Sequence, residues 1–272
     1  MVDTFSSVVF HSQPDILENV IDHLRGDDSS LKRCSLVSRS FHPPSHRNLF
    51  FFIDLNTTKK IDQLRTLLIT SPDIRQYIRQ LSVTIRITAP LDVDIEGQVI
   101  ASLADVCGML PVLKDLMWKT SLLLSWDAFS SELQSALVNL FRSPTLTTLR
   151  IGELEKFPLS VFHNTSSIKK LELLFVVLGD NSREPAVLPH LEVLNIQTCG
   201  PTPSGSPRYQ IVTPNLRCLC FLDYDDLDSS TLAQQAVNSA ANSLERIYWT
   251  YDLSNCMGCL ILNLHYVYAL YS

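Results

Sequence analysis

A few clusters in this 272-residue chain have the residue types and spacing that chemistry requires. Cys256-x-x-Cys259 has the spacing of half a zinc site or of a redox dithiol. A structural zinc ion takes four ligands, and only His265 stands near the pair. A redox dithiol belongs at the start of a helix that follows a strand, which this apolar segment does not supply. Asp92-x-Asp94-x-Glu96-Gly97 imitates the first half of a calcium loop, with oxygen ligands at alternating positions and Gly at the sixth. The twelfth position is Leu103, where a bidentate Glu is needed, so the segment reads as a solvated acidic loop. Asp223, Asp225, Asp226 and Asp228 cluster with no His or Cys beside them and read as a solvated loop. His42 and His46 are separated by Pro43-Pro44 and lack the Glu of a helical zinc-protease motif. There is no Gly-x-Ser-x-Gly turn, and the dispersed glycines form no phosphate-cradling or dinucleotide loop. The expectation is a chain that is not an enzyme, with no cofactor and no metal.

Composition narrows the remaining classes. Lys and Arg number 22 against 28 Asp and Glu, a net charge of −6, and no basic run exceeds two residues. A nucleic-acid binder needs a clustered basic face, so that class is set aside. With 46% hydrophobic residues the chain has the apolar content to build a core, which argues against disorder. The seven Cys are odd in number and scattered, which favours a reducing intracellular compartment, cytoplasmic or nuclear, over a disulfide framework. No basic region precedes Val8-Val9-Phe10, so no signal peptide is expected. The apolar stretch Cys259 to Tyr271 is broken by Asn263 and His265 and is shorter than the roughly 20 residues of a span, so no membrane association is expected.

The elements follow from periodicity. The pattern apolar-x-x-apolar-x-apolar occurs at Ile78/Leu81/Val83, Leu113/Leu116/Trp118, Leu146/Leu149/Ile151, Ile168/Leu171/Leu173, Leu191/Leu194/Ile196, Leu216/Leu219/Phe221 and Leu244/Ile247/Trp249. Successive first anchors are 35, 33, 22, 23, 25 and 28 residues apart. The last two anchors of each unit point to one side of a short strand, and no unit can bury that side alone, so the units must stack. Helical spacing lies between them at Glu96–Leu110, Ser131–Arg142 and Ser229–Asn242. Strand, crossover helix, strand describes an arc of parallel sheet. It resembles a leucine-rich-repeat array, with irregular periods and without that repeat's usual Asn. A three-layer α/β domain is the alternative. Thr198–Thr213, rich in Pro and Gly, reads as a surface loop, and from Ser254 the periodicity stops, leaving the last unit poorly covered.

The N-terminal region is different. Ile16, Leu17, Val20, Ile21 and Leu24 form one helical stripe, preceded by a Ser12/Asp15 capping-box pattern and stopped by Gly26. A second helix starts at Asp28-Ser29-Ser30, carries Leu31, Cys34, Val37 and Phe41, and should end at Pro43-Pro44. A third turn, Ser45–Leu49, leads into a strand-like Phe50-Phe51-Phe52-Ile53. Two such helices cannot bury both stripes on each other.

Pro14-Asp15-Ile16-Leu17, Ile21, Leu24, Leu31, the Leu36-Val37-Ser38-Arg39-Ser40-Phe41 core and Leu49-Phe50 resemble an F-box, closest to the variant abundant in mushroom-forming fungi. Ser12-Gln13 stand where that family usually carries Leu-Pro, and Ser38 and Phe41 stand for its usual Cys and Trp. The resemblance implies a substrate receptor of an SCF-type cullin-RING ubiquitin ligase, docking on a Skp-family linker subunit while other subunits do the chemistry. The alternative is a non-catalytic binding scaffold with no ligase link; an N-terminal helical cap on a larger domain is the plainest reading of the module.

The combined expectation is an α/β protein. It has an F-box-like helical module over 10–52, an irregular leucine-rich-repeat-like array over 53–253 and an atypical apolar tail over 254–272. Linker contacts are expected at Pro14, Ile16, Leu17, Ile21, Leu24, Leu31 and Val37. The residues flanking each last anchor alternate away from the core. They are Gln80 and Ser82, Asp115 and Met117, Thr148 and Arg150, Lys170 and Glu172, Val193 and Asn195, Cys218 and Cys220, Arg246 and Tyr248. From these a protein target is expected to contact Arg150, Lys170, Glu172, Asn195, Arg246 and Tyr248.

Overall fold

The computed structural model describes residues 14–85, 93–179, 184–197, 210–223, 227–253 and 256–263. The chain divides into two compact units, Met1–Phe52 and Ile53–Ser272. No helix among the described residues is long and apolar enough to cross a membrane.

The first unit holds α1 (Pro14–Asp22), α2 (Asp28–Val37) and α3 (His42–Leu49). Ser12, and with it the expected capping box, lies outside the described residues. Gly26 turns the chain at φ +95°, where a side chain would be strained. The Asp27 carboxylate caps α2, accepting from the Ser30 backbone N–H at 3.1 Å and the Ser30 hydroxyl at 2.6 Å. Two expectations need correction. Helix α2 stops at Val37, with Ser38 extended, so Phe41 is not on it. Pro43-Pro44 open α3 instead of ending α2. First-turn N–H groups have no intrahelical partner, so prolines there sacrifice no hydrogen bond.

The second unit is mixed α/β around a mostly parallel sheet. Its elements run β1 (Phe52–Leu55), α4 (Thr58–Thr70), β2 (Gln80–Ile85), α5 (Val93–Gly108), β3 (Asp115–Ser125), α6 (Ser131–Phe141), β4 (Thr148–Phe157), β5 (Lys170–Leu178), β6 (Ala186–Val187), β7 (Val193–Gln197), β8 (Ile211–Val212), β9 (Cys218–Asp223), α7 (Leu227–Ser239), β10 (Arg246–Leu253) and β11 (Cys256–Asn263). The sheet order is β1-β2-β3-β4-β5-β7-β9-β10-β11, and β6 pairs separately with β8.

The seven strands from β2 to β10 in that order are parallel neighbours, and their second anchors stand in one register row: Leu81, Leu116, Leu149, Leu171, Leu194, Leu219 and Ile247. All seven are buried, as are the first anchors from Ile78 to Leu244. Ladder pairing and pleat alternation together make a core face that each strand continues. The uneven unit lengths follow from the connections. The longer steps carry α5, α6 and α7, whereas a 3-10 turn (Leu159–Phe162) and the short strands β6 and β8 serve the 22-, 23- and 25-residue steps.

At every strand entry one carbonyl accepts from two successive N–H groups of the next unit. The acceptors are Arg79, Lys114, Thr147, Lys169, Glu192 and Arg217. Side chains reinforce this rung: Thr145 donates to Pro111 O at 3.2 Å, Ser167 to Ser143 O at 2.6 Å, Asn215 to Pro189 O at 2.7 Å and Ser243 to Pro214 O at 2.8 Å. Each donor stands one residue before a first anchor, a polar position the anchor pattern passed over.

Two further expectations are corrected. The acidic stretch near residue 94 is helical, because α5 begins at Val93; Asp92 is outside the described residues. The segment after Ser254 contributes β11, antiparallel to β10 over Arg246↔Asn263 to Leu253↔Cys256, so the last parallel strand does not end the sheet. An unpaired strand edge presents unmet N–H and C=O groups, and an adjacent segment of matching length satisfies them.

Candidate interaction surfaces

On the first unit, an apolar surface is left over once a small core is filled. Ile21 and Leu31 are 0% exposed and form that core with Pro44, Ser45 and Asn48. They are therefore packing residues, which corrects their expected place among linker contacts. Leu17 and Leu24 are half-buried, and Pro14 opens α1. Of the expected contacts, Ile16 at 56% and Val37 at 69% exposure do face solvent. Val20 at 54% and Leu36 at 86% join them. Ile16 and Val20 are four apart on α1 and so share a face.

A polar cluster fixes α1 on α3. Asn48 donates to Asp22 Oδ1 at 2.7 Å and to Pro44 O at 3.1 Å, and accepts from Arg25 Nε at 2.9 Å. Arg47 reaches Glu18 at 3.0 Å and Asp22 at 3.2 Å. The Asn48 amide, foremost, and then Arg47 hold the Asp22 carboxyl below its ordinary range against a smaller opposing effect of burial. Arg25 also lies over the Phe51 ring at 4.5 Å. The rings of His42 and His46, one turn apart, lie 3.8 Å apart and tilted by 40°, and burial, then His42, lowers the His46 pKa.

On the second unit, the face opposite the core row carries the expected partner residues in register. One row reads Ser82, Met117, Arg150, Glu172, Asn195, Cys220, Tyr248, and the row two residues earlier reads Gln80, Asp115, Thr148, Lys170, Val193, Cys218, Arg246. The sheet brings Arg150, Lys170 and Glu172 together and adds Asp115. Arg150 contacts Asp115 at 2.9 Å and Glu172 at 3.6 Å, and Lys170 contacts Glu172 at 2.7 Å. The two cations and two carboxylates neutralise one another. Burial nonetheless raises the Asp115 pKa, with Arg150 pulling it down and Glu172 pushing it up. Asn195 is half-buried beside Glu172, Arg246 is exposed, and Tyr248 is half-buried on the far side of β9.

Above the quartet the strands bulge. Glu153 at φ 58° and Phe175 at φ 56° occupy matching places on β4 and β5, in the left-handed region. Both strands break alternation at the same place and keep their mutual register, so that Leu154 and Val176 return to the core. Lys119 pairs with Glu153 at 3.2 Å, and the Thr120 hydroxyl donates to the Glu153 carbonyl.

Among the described residues no group of three His, Cys, Asp or Glu could share a metal ion. The side chains of Cys256 and Cys259 lie outside what is described. Comparisons with known protein families, curated proteins and solved structures find no match to this chain.

Proposed function

We propose that this chain is a substrate-receptor adaptor of an SCF-type cullin-RING ubiquitin ligase. The F-box-like N-terminal unit docks on a Skp-family linker subunit, and the leucine-rich-repeat-like sheet presents a protein target. The chain then supplies proximity, and bond making belongs to other subunits.

One observation carries the docking half. A small helical unit leaves Ile16, Val20, Leu36 and Val37 exposed after its core is complete. Four large exposed apolar side chains on so small a unit, two of them on one face of α1 and two adjacent at the end of α2, favour an interaction site. The target half is supported by the register rows, which set Arg150, Lys170, Glu172, Asn195, Arg246 and Tyr248 on one face. Because the charges there are already paired, a partner gains orientation from them more than raw attraction.

The test is co-purification of the full chain with a Skp-family subunit, beside a Leu36→Asp/Val37→Asp variant. Capture by wild type and its loss in the variant, with an unchanged far-UV circular dichroism spectrum, supports the reading. No capture by wild type removes the ligase link and leaves a non-catalytic binding scaffold.

A further inference from the structure

We propose that Cys218 and Cys220 form a two-thiol site for a soft monovalent d10 cation, Cu(I) being the best match, on the open face of the sheet. Both belong to β9, two residues apart, so the pleat sends both thiols to one side. Their Sγ atoms are 4.0 Å apart, and both thiols are free. With metal–sulfur bonds of about 2.3 Å, that separation corresponds to a sulfur–metal–sulfur angle of about 120°. That is a trigonal angle, so without movement of the strand the pair supplies two of the three donors of a low-coordinate ion and leaves the third position open to solvent. Zn(II) needs four ligands, and among the described residues no third His, Cys, Asp or Glu joins the pair. Soft thiolate ligation selects Cu(I).

The surroundings fit the charge balance. Binding breaks two S–H bonds, forms two Cu–S bonds and passes two protons to water; no electron moves. The product carries one net negative charge, and Lys170 acts on Cys220 with the sign that offsets it, opposed by Glu172. Because binding releases protons, affinity for Cu(I) rises with pH. Cys218 is 7% exposed whereas Cys220 is half-buried, so the ion enters from the Cys220 side.

The full chain carrying Cys256→Ser and Cys259→Ser, which removes the other close pair, is titrated with Cu(I) anaerobically against a chromogenic Cu(I) chelator. One equivalent should be withheld from the chelator, and adding Cys220→Ser should weaken retention at least tenfold. Retention unchanged by Cys220→Ser overturns the proposal. The wild-type chain provides a second readout that needs no variant to fold. Cu(I) should protect Cys218 and Cys220 from alkylation, read by peptide mass, while Cys34 continues to react. Equal alkylation of all three with and without Cu(I) overturns the proposal as well.

Discussion

Replacing Arg150 by Met tests whether the quartet on the open face is a structural tie. Arg150 is one-third exposed, whereas the carboxylates on either side, Asp115 at 17% and Glu172 at 15%, are less so. The 2.9 Å contact with Asp115 is a charge-assisted hydrogen bond, a class whose loss costs about 1.5–3 kcal/mol. The 3.6 Å contact with Glu172 is too long for one and behaves as a partly screened ion pair, adding at most about 1 kcal/mol. Met fills much of the vacated space, and the exposure of Arg150 places the total near the low end, about 2–3 kcal/mol at pH 7. Combining Arg150→Met with Asp115→Asn should cost about 1.5 kcal/mol less than the two singles summed, because neither partner is then left buried and charged.

The sign with pH follows from Asp115. Its folded-state pKa already lies above its ordinary value of 3.8 because burial outweighs Arg150, and removing Arg150 raises it further. A raised carboxyl pKa contributes stability below the unfolded value and loses it as pH rises through the folded one. The variant's deficit should therefore shrink near pH 4 and grow toward neutrality. Urea unfolding followed by tryptophan fluorescence measures this, with buried Trp118 on the same strand as Asp115. A deficit under about 0.5 kcal/mol at pH 7, or equal deficits at both pH values, refutes the reasoning.

Other outcomes are expected. Leu31→Ala should cost about 2–5 kcal/mol and melt the first unit, whereas Leu36→Ala should leave its melting unchanged; chemical denaturation of both variants separates core from surface. Lowering pH below about 6.5 should destabilise the first unit through His46, whose depressed pKa makes the neutral ring the folded form, and His46→Gln should flatten that dependence in a thermal-melt series. Gly179→Ala would set a methyl 2.6 Å from the Lys156 Cβ and closer still to its backbone, so a loss of about 1–3 kcal/mol should appear as a lowered urea midpoint.

The sheet was legible in the sequence because a strand's side chains alternate with a period of two. Once Leu149 and Ile151 are assigned inward, Thr148 and Arg150 have no other side to take, and seven copies of one pattern fix the register between neighbours. The helical unit was not legible to the same degree. Its apolar stripe holds more residues than three short helices can bury, and which of them face inward depends on where the neighbouring helix lies. Ile21 and Val20 are adjacent in sequence, yet one is core and the other exposed. The end of α2 and the start of α3 were misread because Pro43-Pro44 suit a first turn as well as a stop, and only the path after Ser38 decides between them. The sequence placed Arg150, Lys170 and Glu172 on one face, but their pairing with Asp115 needed the strand spacing and the diagonal reach from β4 to β3. Charges in a list carry no distances. The tertiary structure turned an expected charged patch into a neutral tie, and it set the two sulfurs of β9 4.0 Å apart.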